Sequence, residues 1–300
     1  KTNVLEAIYV SSTTKSHKGS KDREMINFDS DEAHIKTVFL KNDIRYRIDV
    51  HLRKSKAKGI AVNGIPIKKA SELFGIVNVV FFSPEDLGII NDGPEQRRRF
   101  LDIELCQLNK AYLFYLTQYK KVLKQRNVLL KQIQEKKAVR ETLEIWNQQL
   151  VDYGKKIIEI RTDFVGELNE LIRVQHQKLT GGKEEIQLQY HPNCLKDDFE
   201  NQIFLAEDRD VFGGTTTVGP HRDDMAFMSG TIDFRKYGSQ GQKRTAALSL
   251  KMAEINIVER IIGEKPILLL DDVLSELDRN RQNYLLENIK GIQTIITCTG

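Results

Sequence analysis

An uninterrupted apolar run that ends in two adjacent acids, Ile267-Leu268-Leu269-Leu270-Asp271-Asp272, limits what this chain can fold into more than any other stretch. Apolar residues without alternation read as a strand covered on both faces, the condition of a parallel sheet flanked by helices. The two carboxylates that close the run repel one another and are costly to bury unless something positive meets them. A divalent cation carrying a nucleotide triphosphate is one such guest. An ordinary buried strand meeting a solvated turn is the other reading.

The segments around this strand extend the α/β pattern. Near the start, Val4, Leu5 and Ile8 fall at helical spacing, followed by a polar stretch, residues 11–20, expected to be a surface loop. An antiparallel meander follows: "IKTVFL", the alternating "IRYRIDVHL", and "IAVNGIPI" with a two-residue hairpin turn at Asn63-Gly64. Val77 to Phe82 is again too continuously apolar for a half-exposed strand and is expected in the main sheet. From Pro94 to about Lys178 the chain reads as an antiparallel helical arm, opened by Pro94 in a first helical turn. Its second helix interleaves Tyr112, Leu116, Tyr119 and Val122 with Lys120, Lys121 and Lys124. Strand signals resume at "IQLQY", and two strands are expected around Ser229-Gly230, then a helix, the run to Asp272, and a last strand "QTIITC". The expected organisation is one α/β lobe, residues 1–92 and 190–300, interrupted by a helical lobe at 93–189.

Composition narrows the function classes. In 300 residues, 40% are hydrophobic and 29% charged, a globular balance, and no apolar run approaches the length of a membrane span. Neither a signal peptide nor a membrane partner is expected, and the location expected is the cytoplasm. The formal charge of +4 permits a polyanionic partner without requiring one. Cys106, Cys194 and Cys298 lie far apart and read as reduced thiols. The chain opens on Lys1-Thr2, directly ahead of a helical pattern and without Met, so a segment ahead of Lys1 is expected.

The stretch "YGSQGQKRTAALSL" brings Gly238-Ser239-Gln240-Gly241-Gln242 to the start of a helix, where free amides and the helix dipole suit an anion. An N-cap by Ser239 is the plain alternative. About 30 residues later come the Asp271-Asp272 pair and then "SELD", Ser275 to Asp278. That order and spacing match the signature, Walker B and D-loop of ATP-binding cassettes. Lys1-Thr2 would close a P-loop, G-x-x-x-x-G-K-[ST], if the glycines stood ahead of them.

Taken together these motifs resemble the ABC-type ATPase heads of the SMC and RecF class, with the RecF family the nearer likeness. The residues that carry it are "KTNVLEAIY", "FFSPEDL", "GPEQRRRFLD", "LKQRN", "GPHRDD" and "GSQGQKRT", so the resemblance runs over essentially the whole chain. It implies an ABC-type ATPase lobe with an inserted helical arm, and ATP and Mg2+ as cofactors. By that likeness Lys1 is the Walker A lysine, Thr2 and Asp271 hold the magnesium, and Asp272 positions the attacking water. Ser239, with Gln240, Gly241 and Gln242, would contact the nucleotide held by the other copy in a head-to-head dimer, and Thr297 would take the switch position near it.

The resemblance further implies double-stranded and gapped DNA as ligand, RecR and RecO as partners, help in loading RecA, weak DNA-dependent ATP hydrolysis, and a nucleoid-associated protein of the cytoplasm. Arg97, Arg98, Arg99, Lys120, Lys121 and Lys124 are the candidate DNA contacts, against the alternative that they solvate helical faces. His221 and Arg222 could reach the nucleotide or the dimer partner, or serve as structural hydrogen-bonding groups. Asp272, where many relatives of the class carry Glu, implies slow turnover. A transporter subunit would need a shorter interval between its Walker motifs, and a structural SMC protein a far longer coiled coil. An ATP-gated, SMC-type DNA-binding module without significant turnover stays open as the other reading.

Overall fold

In a computed structural model of the chain, residues 2–41, 43–69 and 72–298 are described. They form two compact units. The first comprises residues 1–87, 175–183 and 244–300, and the second 88–174 and 184–243.

The first unit is built on a parallel sheet of β5 (Val79–Phe82), β9 (Ile267–Asp271) and β10 (Thr294–Thr297), with β9 in the middle. All of β5 is buried, and Leu268, Leu269 and Leu270 have no exposed surface, as the unalternating sequence requires. Each such leucine contributes roughly 1.5–3 kcal/mol through removal from water. Helix α1 (Thr2–Thr13) packs against β5 and β9 and also against the meander β1 (Glu32–Lys41) and β2 (Ile44–Arg53). The meander continues through β3 (Gly59–Val62) and β4 (Ile65–Pro66), all antiparallel. Asn63 at φ 52° and Gly64 at φ 84° make its last turn left-handed at both positions, the type I′ geometry that Asn-Gly favours.

The polar stretch after α1 departs from expectation. Ser11, Ser12 and Thr13 belong to the helix, and Ser11 through Thr14 and Ser16 are buried rather than at the surface. Their hydroxyls are satisfied at short range: Ser11 Oγ donates to Ala7 O at 2.8 Å, Thr13 Oγ1 to Tyr9 O at 2.8 Å, and Ser16 Oγ to Glu6 Oε1 at 2.5 Å. Hydroxyls that bond back to a helical carbonyl need no water, so a Ser/Thr run can be interior.

The second unit is helical around a small antiparallel sheet. Its long elements are α3 (Pro94–Leu108), α4 (Lys110–Gln134) and the greater part of α5 (Leu143–Thr180). Strands β6 (Gln187–His191), β7 (Asp224–Ser229) and β8 (Ile232–Asp233) form the sheet, and α3 packs on β7. Short helices α6 (Phe199–Leu205) and α7 (Glu207–Gly213) complete it, α7 lying on α4. The boundary therefore differs from the sequence expectation: residues 190–243 go with the helices rather than with the ATPase-like lobe.

Buried charge accounts for that attachment. Arg161 of α5, 2% exposed, donates to Asp102 of α3 and to Asp223 just before β7, each at 2.8 Å. Arg126 of α4, with no exposed surface, donates to Asp210 of α7 at 2.7 Å and to Thr216 at 2.8 Å. Buried partners of this kind are strongly coupled, because removing one strands the other. After β8 a single helical turn, α8 (Phe234–Tyr237), leads to α9 (Gln240–Ile262), and α10 (Arg279–Asn288) precedes β10. No disulfide joins the three cysteines, of which Cys106 and Cys194 are buried and Cys298 is exposed.

Candidate nucleotide site

The first unit brings together residues from opposite ends of the chain. Thr2, in the first turn of α1, donates its hydroxyl to Asp271 Oδ1 at 2.9 Å across 269 positions of sequence. Asp271 ends the central strand at its C-terminal edge, where open α/β sheets receive ligands. The same oxygen receives the Thr297 hydroxyl at 2.6 Å from the neighbouring strand. Asp272 then leaves the sheet in a left-handed conformation, φ 54°, with its amide donating to Thr297 O at 3.1 Å. Its carbonyl accepts from Ser275 Oγ at 2.7 Å, so the turn after the strand is tied at both ends. Asp278 closes the same loop by capping α10, accepting from the Arg281 amide at 3.0 Å.

A magnesium ion fits this donor set. The Thr2 hydroxyl and the Asp271 carboxylate are hard oxygen donors, and Mg2+ is normally held by one or two carboxylates with waters and phosphate oxygens completing its shell. The α1 N-terminus beside them adds the positive end of a helix dipole. Lys1, the expected phosphate-neutralising lysine, lies outside the described residues.

Ser239 to Gln242 lie in the second unit, at the start of α9. There the geometry shows the plain alternative, an N-cap by Ser239. The Gln242 amide donates to Ser239 Oγ at 3.2 Å while the Ser239 amide donates to Gln242 Oε1 at 2.9 Å, a reciprocal capping box. Ser239, Gln240 and Gly241 are nonetheless exposed. Gly238 is required just ahead of them, because a Cβ there would stand 2.7 Å from Phe234 O.

The basic residues divide. Arg97 is 2% exposed and forks onto Asp224 at 2.6 and 3.2 Å, with further bonds to Asp92 O at 2.8 Å and Ile89 O at 3.1 Å. It is interior, and the expectation that it contacts DNA is corrected: its charge is committed to Asp224. Arg98 is half-buried and donates to Asp223 O at 2.8 Å, and Arg99 is half-buried. Lys120, Lys121 and Lys124 are exposed on α4, Lys120 pairing with Asp102 at 2.8 Å. Lys120, Lys124 and Lys131 line one open groove with Asn127.

His221 resolves to the structural alternative. Its Nδ1 pairs with Tyr119 Oη at 2.7 Å and its Nε2 with Thr216 O at 3.1 Å, and burial lowers its pKa to about 4. Asp102 titrates below the usual carboxylate range, since burial alone would raise it but the charges of Arg161 and Lys120 prevail. Sequence reading did not find the Arg161, Asp102 and Asp223 cluster. Its one signal is an arginine on the apolar side of a long helix.

No family profile matches the chain. Among curated proteins, "DNA replication and repair protein RecF" of Agathobacter rectalis is 59% identical over all of this chain and 83% of its own length. RecF of Lachnoclostridium phytofermentans is 58% identical with the same coverage. Among solved structures, the recombination mediator protein RecF-ATP in the RecFOR pathway superposes with a TM-score of 0.93 at 36% identity, covering 99% of this chain and 82% of that one. The Smc head domain of Pyrococcus furiosus, at 17% identity and a TM-score of 0.51, shares the fold.

Proposed function

Since the chain belongs to the RecF family of DNA replication and repair proteins, ABC-type ATPases in fold, we propose that it is an ATP-dependent DNA-binding switch. ATP and Mg2+ join two copies head to head, the joined pair holds double-stranded DNA near gaps, and hydrolysis releases it. With RecR and RecO the DNA-bound pair helps load RecA. The observation that carries this reading is the Thr2 to Asp271 hydrogen bond, which sets the start of α1 against the acid at the end of the central strand.

Thr2 and Asp271 would hold the magnesium, which supplies neutralisation of the charge on the transferred phosphoryl group and its bridging oxygens. Lys1 completes that neutralisation. Asp272 orients and accepts a proton from the attacking water, and its short side chain makes turnover slow. Ser239, on the capped start of α9, faces the nucleotide of the other copy, and Gln240, Gly241 and Gln242 present the amides of the helix end. Arg98, Arg99, Lys120, Lys121 and Lys124 supply phosphate contacts to DNA. Among the described residues no helix is long and apolar enough to cross a membrane, and a nucleoid-associated location follows from the ligand.

Sedimentation velocity of the full-length protein with a labelled duplex tests the reading. ATP and Mg2+ should convert monomers to a DNA-bound dimer, and Ser239→Arg should abolish the conversion. Mass and DNA binding that ignore ATP would overturn the switch. A dimer that forms but shows no phosphate release with duplex DNA would leave the non-hydrolysing module as the function.

A further inference from the structure

Thr297 stands in register with Asp271 at the last rung between β10 and β9. Its hydroxyl donates to Asp271 Oδ1 at 2.6 Å, the oxygen that also receives Thr2 at 2.9 Å. The Asp272 amide is divided between Thr297 O at 3.1 Å and Thr297 Oγ1 at 3.3 Å. Beyond that rung Asp272 sits at φ 54°. The left-handed region disfavours a residue with a side chain by about 1 kcal/mol and persists where the surroundings fix it. One threonine thus holds the carboxylate of the first acid and the backbone of the second. Its β-branch restricts χ1, which suits a hydroxyl that must point one way.

These bonds also decide what the hydroxyl is able to do for a nucleotide. Its proton is committed to Asp271 and a lone pair faces the Asp272 amide, so what is left to offer a phosphate oxygen is electron density, which repels it.

Resting on the nucleotide-site reading above, we propose that Thr297 is a positioning residue for the acid pair rather than a contact to the γ-phosphate. It sets metal affinity through Asp271 and turnover through Asp272. The first acts on a ligand atom at 2.6 Å, and the second on the Asp272 amide at 3.3 Å, the share of that bond that the hydroxyl adds to the backbone carbonyl.

Thr297→Val keeps the shape and removes the hydroxyl, Thr297→Ser keeps the hydroxyl, and Thr297→Ala serves where valine does not fold. In the full-length proteins, affinity for a fluorescent ATP analogue is measured without metal, Mn2+ binding to the nucleotide-loaded protein by electron paramagnetic resonance, and kcat and KM by phosphate release. The expected result is metal-free nucleotide affinity within about twofold of wild type throughout. Valine or alanine should weaken Mn2+ binding several-fold, raise the KM for the metal–nucleotide complex by about the same factor, and lower kcat about 10- to 100-fold, the size of effect that misplacing a reacting group produces. Serine should restore all three.

Loss of metal-free nucleotide affinity in Thr297→Val would show a direct phosphate contact and overturn the inference. So would unchanged Mn2+ binding and kcat, or a serine variant as impaired as valine. Wild-type protein that binds no nucleotide with Mg2+ would overturn the site reading itself, which separates the two failures.

Discussion

Asp271 and Asp272 are neighbours in sequence with different surroundings: the first ends a strand, 7% exposed and gripped by two hydroxyls, and the second begins a turn. Asp272→Asn should therefore leave the ATP-dependent dimer on DNA intact while phosphate release falls by at least about 100-fold, the usual worth of a positioned base. Asp272→Glu should raise turnover if the short side chain is what limits it. Among the arginines, burial separates roles that the Arg97-Arg98-Arg99 run left merged. Arg97→Gln should cost about 1–3 kcal/mol in urea unfolding, because the Ile89 and Asp92 carbonyls lose their donor while the third-exposed Asp224 keeps access to water. Lys124→Ala should leave stability within about 0.5 kcal/mol and lower the salt slope of duplex binding by about 0.9. The run itself does not reveal this, since the helical period that turns Arg97 inward says nothing of the acid waiting at Asp224.

At the level of elements, the start of α9 rests on Gly238, a residue with no chemistry of its own in the proposed reaction. Gly238→Ala would drive a Cβ toward Phe234 O, so the α8 turn must shift and Ser239 with it. Both the melting temperature and ATP-dependent dimerisation should drop, whereas Gly93→Ala, where a Cβ meets nothing within 4 Å, should leave dimerisation unchanged. Elements of this kind were legible in sequence where a local rule decides them. The Asn63-Gly64 hairpin, the buried β5 and β9 strands and the Pro94 helix start all follow from turn chemistry, unbroken hydrophobicity and a fixed φ. Illegible were features decided by which hydrogen-bond partners a polar side chain finds, near or far along the chain. The hydroxyl run at Ser11 to Ser16 reads as a loop until its bonds to Ala7, Tyr9 and Glu6 are seen. The segment 190–243 reads as part of the α/β lobe until Asp223 is found on Arg161. The candidate site was legible as motifs, whereas the double role of Thr297 needed the register of β10 on β9.

Over the whole molecule, buried ionisable groups tie stability to pH. His221 is held neutral by burial with its pKa lowered to about 4, so the unfolded chain binds a proton below pH 6.5 that the folded chain refuses until about pH 4. Stability should be fully present above pH 6.5 and fall as pH drops through that window, by about 2 kcal/mol between pH 6.5 and 5. Urea unfolding at the two values checks it, and His221→Gln should lessen the slope without abolishing it, because burial also lowers His176 to about 4. Asp102, lowered by Arg161 and Lys120, and Asp224, lowered by Arg97 and the Met225 amide, both against the opposing effect of burial, extend the loss below their usual carboxylate range. The capping box on Ser239 carries a consequence for time rather than for affinity. A serine whose orientation is already set by Gln242 has little left to arrange when two copies meet, so in the proposed switch encounter is quick and the dwell of the pair becomes the adjustable quantity.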